Sequence, residues 1–364
     1  MIPICKPKIT EEEITAVTKV LRSGNIVQGE ETSSFEKEFS EYIGTDYGVI
    51  TSSGTTALMT GLTALGLKQG DEIITTPFSF IASANSILYT GAKPVFVDID
   101  SKSFNIDTSL IEKKINEKTK ALLIVHLYGL SCDMDAIMEI CKKHNLILIE
   151  DCCQAHGAEY KNKKVGTFGD IGVFSFYATK NMICGEGGII LTNNQDIAER
   201  CKALRSHGEF KRYNSDFLGY NFRSTDVFSA IGRIQLTKLR NFNERRREIA
   251  EMYNQGLKDV GDLKLPIEEE GYAHVYHQYT IKTSKRDELA KFLSKEGIGN
   301  KVYYPVPIYK QEPYKSMGYN ETLPVVENIS SKVLSIPVHP SITDENVDYI
   351  ISSIKKFFGE ESGD

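Results

Sequence analysis

Hydrophobic positions form two patterns along the chain, and these alternate most regularly between residues 47 and 191. Short apolar runs bounded by turn residues predict buried strands, and apolar residues every three or four positions predict helices. Strands are predicted at 47–51, 71–75, 93–98, 121–127, 146–151, 174–176 and 189–191, with helices at 57–65, 79–89, 108–115 and 135–144. This alternation indicates an α/β fold with a mostly parallel central sheet covered by helices.

The pattern changes on both sides of this region. Thr10 and Glu13 have the spacing of a capping box and predict a helix that ends near Gly24. The other predicted helices lie at 31–42, 193–207, 228–257, 287–296 and 345–358, and the other strands at 279–282 and 301–304. We therefore predict a large domain over residues 1–248, with two N-terminal lead-in helices, and a smaller C-terminal α+β domain over residues 249–364.

Composition narrows the class of protein. The 364 residues are 41% hydrophobic and 25% charged, as expected of a globular chain with a large core. A formal net charge of −6 argues against a nucleic-acid surface, which needs a basic stripe. No apolar run approaches the roughly 20 residues of a membrane span. Residues 1–6 lack the layout of a signal peptide, so we expect a cytoplasmic protein without a membrane partner.

Two charged residues stand at the ends of neighbouring predicted strands. Asp151 closes the strand at 146–151, and Lys180 lies on the loop after the apolar run 174–176. Taken alone, Lys180 is typical of a solvated loop cation. However, ligands of a parallel sheet bind at the carboxyl ends of its strands, where both residues and Phe80 are expected.

A candidate anion site is predicted at the same edge of the sheet. Ser53, Gly54 and Thr55 begin a helix whose free backbone N–H groups can bind a phosphate. Small hydroxyl residues are equally typical of an ordinary helix cap. A lysine, an acid and a phosphate site are the groups that pyridoxal phosphate needs, because it is held as an imine, paired at its ring nitrogen and bound through its phosphate.

Other motifs are less specific. The Gly-Glu-Gly-Gly run at 185–188 resembles a dinucleotide-binding turn, but it precedes a predicted strand where that fingerprint needs a helix. Seven scattered cysteines without a C-x-x-C spacing indicate neither a disulfide framework nor a metal site. We interpret five histidines as structural residues: His126, His156, His207, His274 and His277. We interpret Asp98 and Asp100 as acids in surface turns, and Cys152 and Cys153 as small buried hydrophobic residues.

Ordered blocks along nearly the whole chain add a resemblance to a known family. They are SGT (53–55), TPFSF (76–80), PVFVDID (94–100), HLYG (126–129), EDCCQAHGA (150–158), FSF (174–176) with Lys180, GEGG (185–188), RSHG (205–208), GYNFR (219–223) and LSIPVHP (334–340). Together they are similar to the DegT/DnrJ/EryC1/StrS family of nucleotide-sugar aminotransferases. The resemblance implies a fold-type-I transferase that uses pyridoxal 5'-phosphate and works as a homodimer with shared active sites.

The resemblance also implies a role for individual residues. Lys180 resembles the lysine that holds the cofactor and carries protons, and Asp151 resembles the partner of the pyridine nitrogen. The remaining cofactor-binding residues are implied to be Gln154 beside the phenolic oxygen, Phe80 on a ring face, Ser53, Gly54, Thr55 and Ser175 at the phosphate, and Asn221 reaching the phosphate from the other subunit. The sequence departs from the family at Cys152-Cys153, often Ala-Ala, and at Ala178, often proline; neither change removes a functional group.

The implied reaction moves an amino group from an amino acid, L-glutamate by resemblance, to a nucleotide-linked keto sugar in amino-sugar biosynthesis for a surface polysaccharide or glycan. We favour amination at C4, because the GEGG block at 185–188 is more similar to that group of enzymes; a 3-keto-sugar aminotransferase is the alternative. Lys180 argues against the dehydratase branch, which has histidine there. A sensor or regulatory protein that binds the cofactor without turnover would use the same residues.

Overall fold

The computed structural model describes residues 1–359 and contains the alternating pattern. The strands are β1 (Tyr47–Thr51), β2 (Glu72–Thr75), β3 (Lys93–Phe96), β4 (Thr119–Val125), β5 (Ile147–Asp151), β6 (Glu159–Tyr160), β7 (Lys163–Lys164), β8 (Ile171–Ser175), β9 (Gly188–Thr192), β10 (Glu209–Lys211), β11 (Asn214–Ser215), β12 (Tyr272–Ala273), β13 (Tyr279–Lys282) and β14 (Val333–Ile336). The α-helices are α1 (Glu11–Ser23), α2 (Glu30–Ile43), α3 (Gly54–Ala64), α4 (Ala82–Tyr89), α5 (Thr108–Ile111), α6 (Met134–His144), α7 (Gln195–Arg205), α8 (Asp226–Gly256), α9 (Arg286–Lys295), α10 (Glu312–Ser316), α11 (Pro324–Ser330) and α12 (Asp344–Phe358).

Seven strands form the central sheet, in the order β1-β9-β8-β5-β4-β2-β3. The five strands from β8 to β3 are parallel, whereas β9 runs antiparallel to both β8 and β1. The predicted mostly parallel sheet is therefore confirmed, with one reversed strand. Register places Asp151 of β5 beside Val125 of β4 and Val173 of β8, so the acid lies at the shared carboxyl edge of three parallel strands.

Helix α2, predicted as part of a lead-in, covers one face of this sheet. The ring centroids of Phe39 and Phe174 are 5.2 Å apart, and those of Phe35 and Phe176 are 5.0 Å apart. All four rings are almost fully buried, which is the burial expected for an apolar helix stripe packed on a sheet. The helix thus packs on one face of β8, the strand that precedes Lys180, and α3 packs on the other face.

The predicted domain boundary at residue 249 lies within the 31-residue helix α8. A separate hydrophobic cluster begins at Ile249 on this helix and continues through β13, α9, β14 and α12. However, Ile308, Tyr314 and Val326 belong to the hydrophobic cluster of the large sheet, so the later part of the chain packs on both units. The boundary itself stays a prediction.

One predicted strand and one predicted surface acid are wrong. Residues 301–304 form a single bridge, between Lys301 and Ser335, after which the chain leaves the pairing. Asp98 is only 4% exposed, because its carboxylate accepts hydrogen bonds from the backbone N–H groups of Val325 and Val326, both at 2.9 Å, and caps α11. Asp100 is a turn acid as predicted and accepts from the N–H group of Ser103 at 2.7 Å.

Across residues 1–359, we find no helix with both the length and the apolarity needed to cross a lipid bilayer.

Candidate active site

A cavity of about 380 Å³ opens at the carboxyl edge of the sheet. Its lining is Ser53, Gly54, Thr55, Leu58, Ser79, Phe80, Ala82, Ser83, Val125, Tyr128, Asp151, Cys153, Gln154, Ser175, Tyr177, Thr179, Lys180, Glu186, His277, Gln278, Tyr303 and Tyr304. The fold therefore brings together every predicted site residue except Asn221. This edge collects ligands because loops from several parallel strands meet there.

The start of α3 forms an anion cradle in the cavity wall. The Ser53 hydroxyl accepts from the Thr56 N–H group at 3.1 Å, and the Thr56 hydroxyl accepts from the Ser53 N–H group at 2.9 Å, which completes a capping box. Within residues 1–359, the N–H groups of Gly54 and Thr55 have no hydrogen-bond acceptor. Two free N–H groups at the positive end of a helix suit a phosphate.

Gly54 leaves the space that this cradle needs. A Cβ atom added at Gly54 would lie 2.8 Å from the Cβ atom of Ser175 and 3.2 Å from the Cys153 Sγ atom. Ser175 ends the fully buried strand β8, so this neighbour cannot rotate away. The missing side chain lets α3 approach β8 closely enough for a phosphate to contact both, and the cradle fits the phosphate of the implied cofactor.

We predict that Gly54→Ala weakens cofactor binding by at least about 10-fold, because the added methyl group forces α3 and β8 apart and misplaces the free N–H groups. Equilibrium dialysis with pyridoxal phosphate measures this. The control is Gly61→Ala in the same helix, where the added Cβ atom would lie 2.4 Å from the terminal methyl group of Ile171, which can rotate away, and in ordinary contact with Ile190 at 3.7 Å. Equal dissociation constants for the two variants would contradict the role of Gly54.

Asp151 presents a buried carboxylate to the cavity and is 3% exposed. One oxygen, Oδ1, accepts from the Cys153 N–H group at 3.1 Å, and Oδ2 accepts from the Ser83 hydroxyl at 2.7 Å. No lysine, arginine or histidine within residues 1–359 forms an ion pair with it. A buried carboxylate without a cationic partner suits a protonated ring nitrogen.

Lys180 is half-buried on the loop after β8. Its backbone N–H group donates to the carbonyl oxygen of Tyr177 at 2.9 Å, and its side chain lines the cavity. Burial lowers the pKa of its amine below the usual value, and the nearby Cys153 and Asp151 side chains partly offset that effect. A lowered pKa increases the fraction of neutral amine near pH 7. Neutral amine is the form that attacks a carbonyl carbon, so the environment suits a lysine that forms a covalent bond to a cofactor aldehyde.

Gln154 has both ends of its amide fixed. Its Oε1 atom accepts from the Tyr128 N–H group at 2.9 Å, and its Nε2 atom donates to the Tyr304 hydroxyl at 2.9 Å. One Nε2 hydrogen therefore remains to donate to a ligand oxygen. Phe80 also lines the cavity and is 59% exposed in the single chain, which leaves its ring free to cover a bound molecule.

Ser175 and Asn221 lie in different places. Ser175 ends β8 in the cavity wall, and its carbonyl oxygen accepts from His156 Nε2 at 2.8 Å. Asn221 is exposed, forms a bridge with Ser206 and lies outside the cavity lining. Its role at a phosphate reached from another subunit therefore stays a prediction.

Several cavity residues escaped the sequence reasoning. Ser83 lies four positions after Ser79, a spacing that would place both on one face of the helix predicted at 79–89, and this was the available signal. His277 reaches the cavity from a position interpreted as structural. Tyr303 and Tyr304 were not missed altogether, since the sequence suggests substrate contacts in the loop 303–309, but it indicates no contact with Gln154. Burial holds the pKa of His277 well below its usual value, so the ring is neutral at pH 7. Cys152 is buried as predicted, whereas Cys153 faces the cavity.

The other motifs keep their structural interpretation. Glu150 accepts from the N–H groups of Gly166, Phe168 and Gly169 at 2.7 to 2.8 Å and from His126 Nε2 at 3.0 Å. These four hydrogen bonds occupy both oxygens of the carboxylate. His126 therefore has a structural role, since it helps to hold Glu150 against the loop that follows β7. Gly188 begins β9, which confirms that the glycine run enters a strand.

Comparison with known proteins agrees with this geometry. The model of the DegT/DnrJ/EryC1/StrS aminotransferase family matches residues 7–355. A pleiotropic regulatory protein of Geobacillus stearothermophilus is 41% identical over 355 residues, covering 96% of this chain and 95% of that protein. A UDP-N-acetyl-3-dehydro-alpha-D-glucosamine 3-aminotransferase of Acidithiobacillus ferrooxidans is 39% identical over 349 residues, covering 96% of this chain and 94% of the relative.

The fold of this chain is also similar to solved structures of aminotransferases. The crystal structure of DesV from S. venezuelae, in complex with a ketimine intermediate, superposes with a TM-score of 0.93 at 36% identity and covers 96% of this chain and 94% of that one. A match over nearly the whole length includes the cavity and the loops that form it. The chain therefore belongs to the DegT/DnrJ/EryC1/StrS family of sugar aminotransferases, which depend on pyridoxal phosphate.

Proposed function

We propose that this protein transfers an amino group from L-glutamate to C4 of a nucleotide-linked keto sugar, in the biosynthesis of an amino sugar for a surface polysaccharide or glycan. The observation that carries the proposal is the meeting, in one cavity, of the half-buried Lys180, the buried carboxylate of Asp151 and the free N–H groups at the start of α3. An amine, an acid and a phosphate cradle together match the three binding points of the family's cofactor.

The chain's own groups have separate tasks in this proposal. Ser53, Gly54, Thr55 and Ser175 hold the phosphate, and Asp151 pairs with the ring nitrogen. Gln154 donates its remaining Nε2 hydrogen to the phenolic oxygen, and Phe80 covers a ring face. When bound, pyridoxal phosphate supplies an electron sink for the carbon that loses a proton. Asp151 supports that chemistry because its charge favours the protonated ring nitrogen.

Lys180 moves the protons. Lys180 lines the cavity, so its amine would be available there as a general base whenever it is not bound to the cofactor. It can then remove the proton from the α-carbon of the donor as a general base. In the second half-reaction, the same nitrogen can deliver a proton to the sugar carbon that receives the amino group. One residue thus acts as base and acid in turn.

Two alternatives are supported by specific relatives. The name of the Acidithiobacillus protein specifies amination at C3, which supports the 3-keto-sugar alternative. The name of the Geobacillus protein describes a regulator, which supports a cofactor-binding regulatory role without turnover. The first alternative keeps every residue role given above, whereas the second needs no proton transfer by Lys180.

We also propose that two copies share their active sites, each receiving Asn221 from its partner, and that the enzyme works in the cytoplasm. The position of Asn221 supports the first point, because it is exposed and outside its own chain's cavity. The free state of all seven cysteines agrees with the second.

The test incubates the purified protein with pyridoxal phosphate, glutamate and a panel of nucleotide-linked 3-keto and 4-keto sugars. Mass spectrometry and NMR identify the aminated carbon. We expect the visible absorption of the bound cofactor to be lost on addition of glutamate alone and a 4-amino sugar to form. A 3-amino product would support the first alternative, and absorption that responds to no amino acid would support the regulatory role.

A further inference from the structure

Two buried serines connect α4 to the candidate active-site acid. Ser83 Oγ lies 2.7 Å from Asp151 Oδ2, and Ser79 Oγ lies 3.0 Å from Ser83 Oγ. The three side chains are only 2 to 3% exposed, so these bonds are largely shielded from bulk solvent. Both serines also line the cavity.

The direction of these hydrogen bonds follows from the chemistry of the groups. An ionised carboxylate only accepts, so the single hydroxyl hydrogen of Ser83 is donated to Asp151. Ser83 Oγ can then only accept from Ser79, whose hydroxyl must be the donor at 3.0 Å. The result is a directed chain from Ser79 through Ser83 to Asp151. The Cys153 N–H group donates to the other carboxylate oxygen, which fixes the plane of the acid.

We propose that Ser79 and Ser83 are positioning residues that aim the Asp151 carboxylate at the ring nitrogen of the cofactor and stabilise its negative charge through hydrogen bonds. The proposal rests on the role given to Asp151 above. A hydrogen bond to the charged form of an acid favours that form. Without the Ser83 hydroxyl, Asp151 becomes a stronger competitor for the proton on the ring nitrogen, and the ring becomes a weaker electron sink.

The test compares Ser83→Ala with the natural protein, both loaded with pyridoxal phosphate carrying ¹⁵N in the ring. The first measurement is the ¹⁵N chemical shift, which reports protonation of the ring nitrogen. We expect the resonance of the variant to move toward the unprotonated value. The second is exchange of the glutamate α-hydrogen with deuterated solvent, without any sugar. We expect exchange to slow by about 10-fold, the factor for loss of one hydrogen bond to a charged group.

Two further variants separate positioning from a general effect on folding. Ser86→Ala is the matched control, since Ser86 lies on the same helix, is fully buried, and donates to the carbonyl oxygen of Ser83 at 2.8 Å without contacting Asp151. We expect natural values for both measurements in this control. Ser83→Thr keeps a hydroxyl group and should restore both. A natural ¹⁵N shift in Ser83→Ala, or an equal change in Ser86→Ala, would overturn the proposal.

A fourth variant keeps the proposal testable if Ser83→Ala does not fold. Ser79→Ala removes only the donor to Ser83 and leaves the bond to Asp151, so we expect a smaller ¹⁵N shift in the same direction. No shift in this variant would overturn the relay. Failure of the proposed function gives a different result, because a protein that exchanges no amino-acid hydrogen still reports the ring nitrogen through its ¹⁵N resonance.

Discussion

Replacement of Lys180 by alanine is expected to abolish the visible absorption of the lysine-bound cofactor and to slow transamination by at least about 10³-fold. In the proposed function this lysine supplies both the covalent bond that holds the cofactor and the nitrogen that moves the proton, and no other lysine lines the cavity. Its side chain makes no hydrogen bond within residues 1–359, so the fold should persist. Absorption spectra, single-turnover rates with glutamate and thermal unfolding measure the three expectations.

Lys180→Arg is the control for charge, because the guanidinium group keeps a cation in the cavity but does not form the covalent bond. We expect it to lose the absorption and the rate as fully as the alanine variant does. If the arginine variant kept most of the rate, charge would be the property that matters. If Lys180→Ala turned over glutamate at the natural rate, the assignment of this lysine would be refuted.

The sequence predicted the sheet well, because its strands are short apolar runs buried on both faces. β5 and β8 have this composition, so their position and the arrival of Asp151 and Lys180 at one edge followed from the pattern. The direction of β9 did not follow. A fully buried strand has the same composition in either direction, and the connection at 176–187 is long enough for a parallel crossover; only its lack of a helix indicates the antiparallel return.

Contacts between distant parts of the chain were the least predictable. Asp98 was interpreted as a surface turn acid because it closes a predicted strand, and nothing near it in sequence indicates that α11, more than 220 residues later, supplies its N–H donors. Tyr304 likewise reaches Gln154 across 150 positions. Such partners depend on how the later segment packs on the sheet. The local pattern therefore predicts elements and strand ends, whereas buried polar partners need the folded chain.

Asp151→Asn should leave the cofactor bound while slowing proton removal from the amino donor by about 10² to 10⁴-fold. Asparagine matches the size of aspartate, and its oxygen can still accept from the Cys153 N–H group while its amide hydrogen donates to Ser83 Oγ. The acid site therefore keeps its shape and loses only its charge. Without the negative charge, a protonated ring nitrogen is no longer favoured, and the ring accepts electrons poorly.

The kinetic signature of this variant distinguishes lost charge from lost binding. When proton removal becomes the slow step, glutamate deuterated at its α-carbon should react several-fold more slowly than ordinary glutamate in single-turnover measurements.

The same variant should also change the pKa of Lys180. Burial lowers this pKa, whereas the Asp151 charge raises it, so removal of the charge lowers the pKa further. The apoenzyme of the variant should therefore capture cofactor at lower pH. Asp170→Asn is the control, since its carboxylate accepts from the Leu148 N–H group at 2.8 Å and lies outside the cavity lining. Natural rates and a natural capture profile in Asp151→Asn would show that this carboxylate does not act on the ring, and both the acid's role and the serine relay that supports it would then be withdrawn.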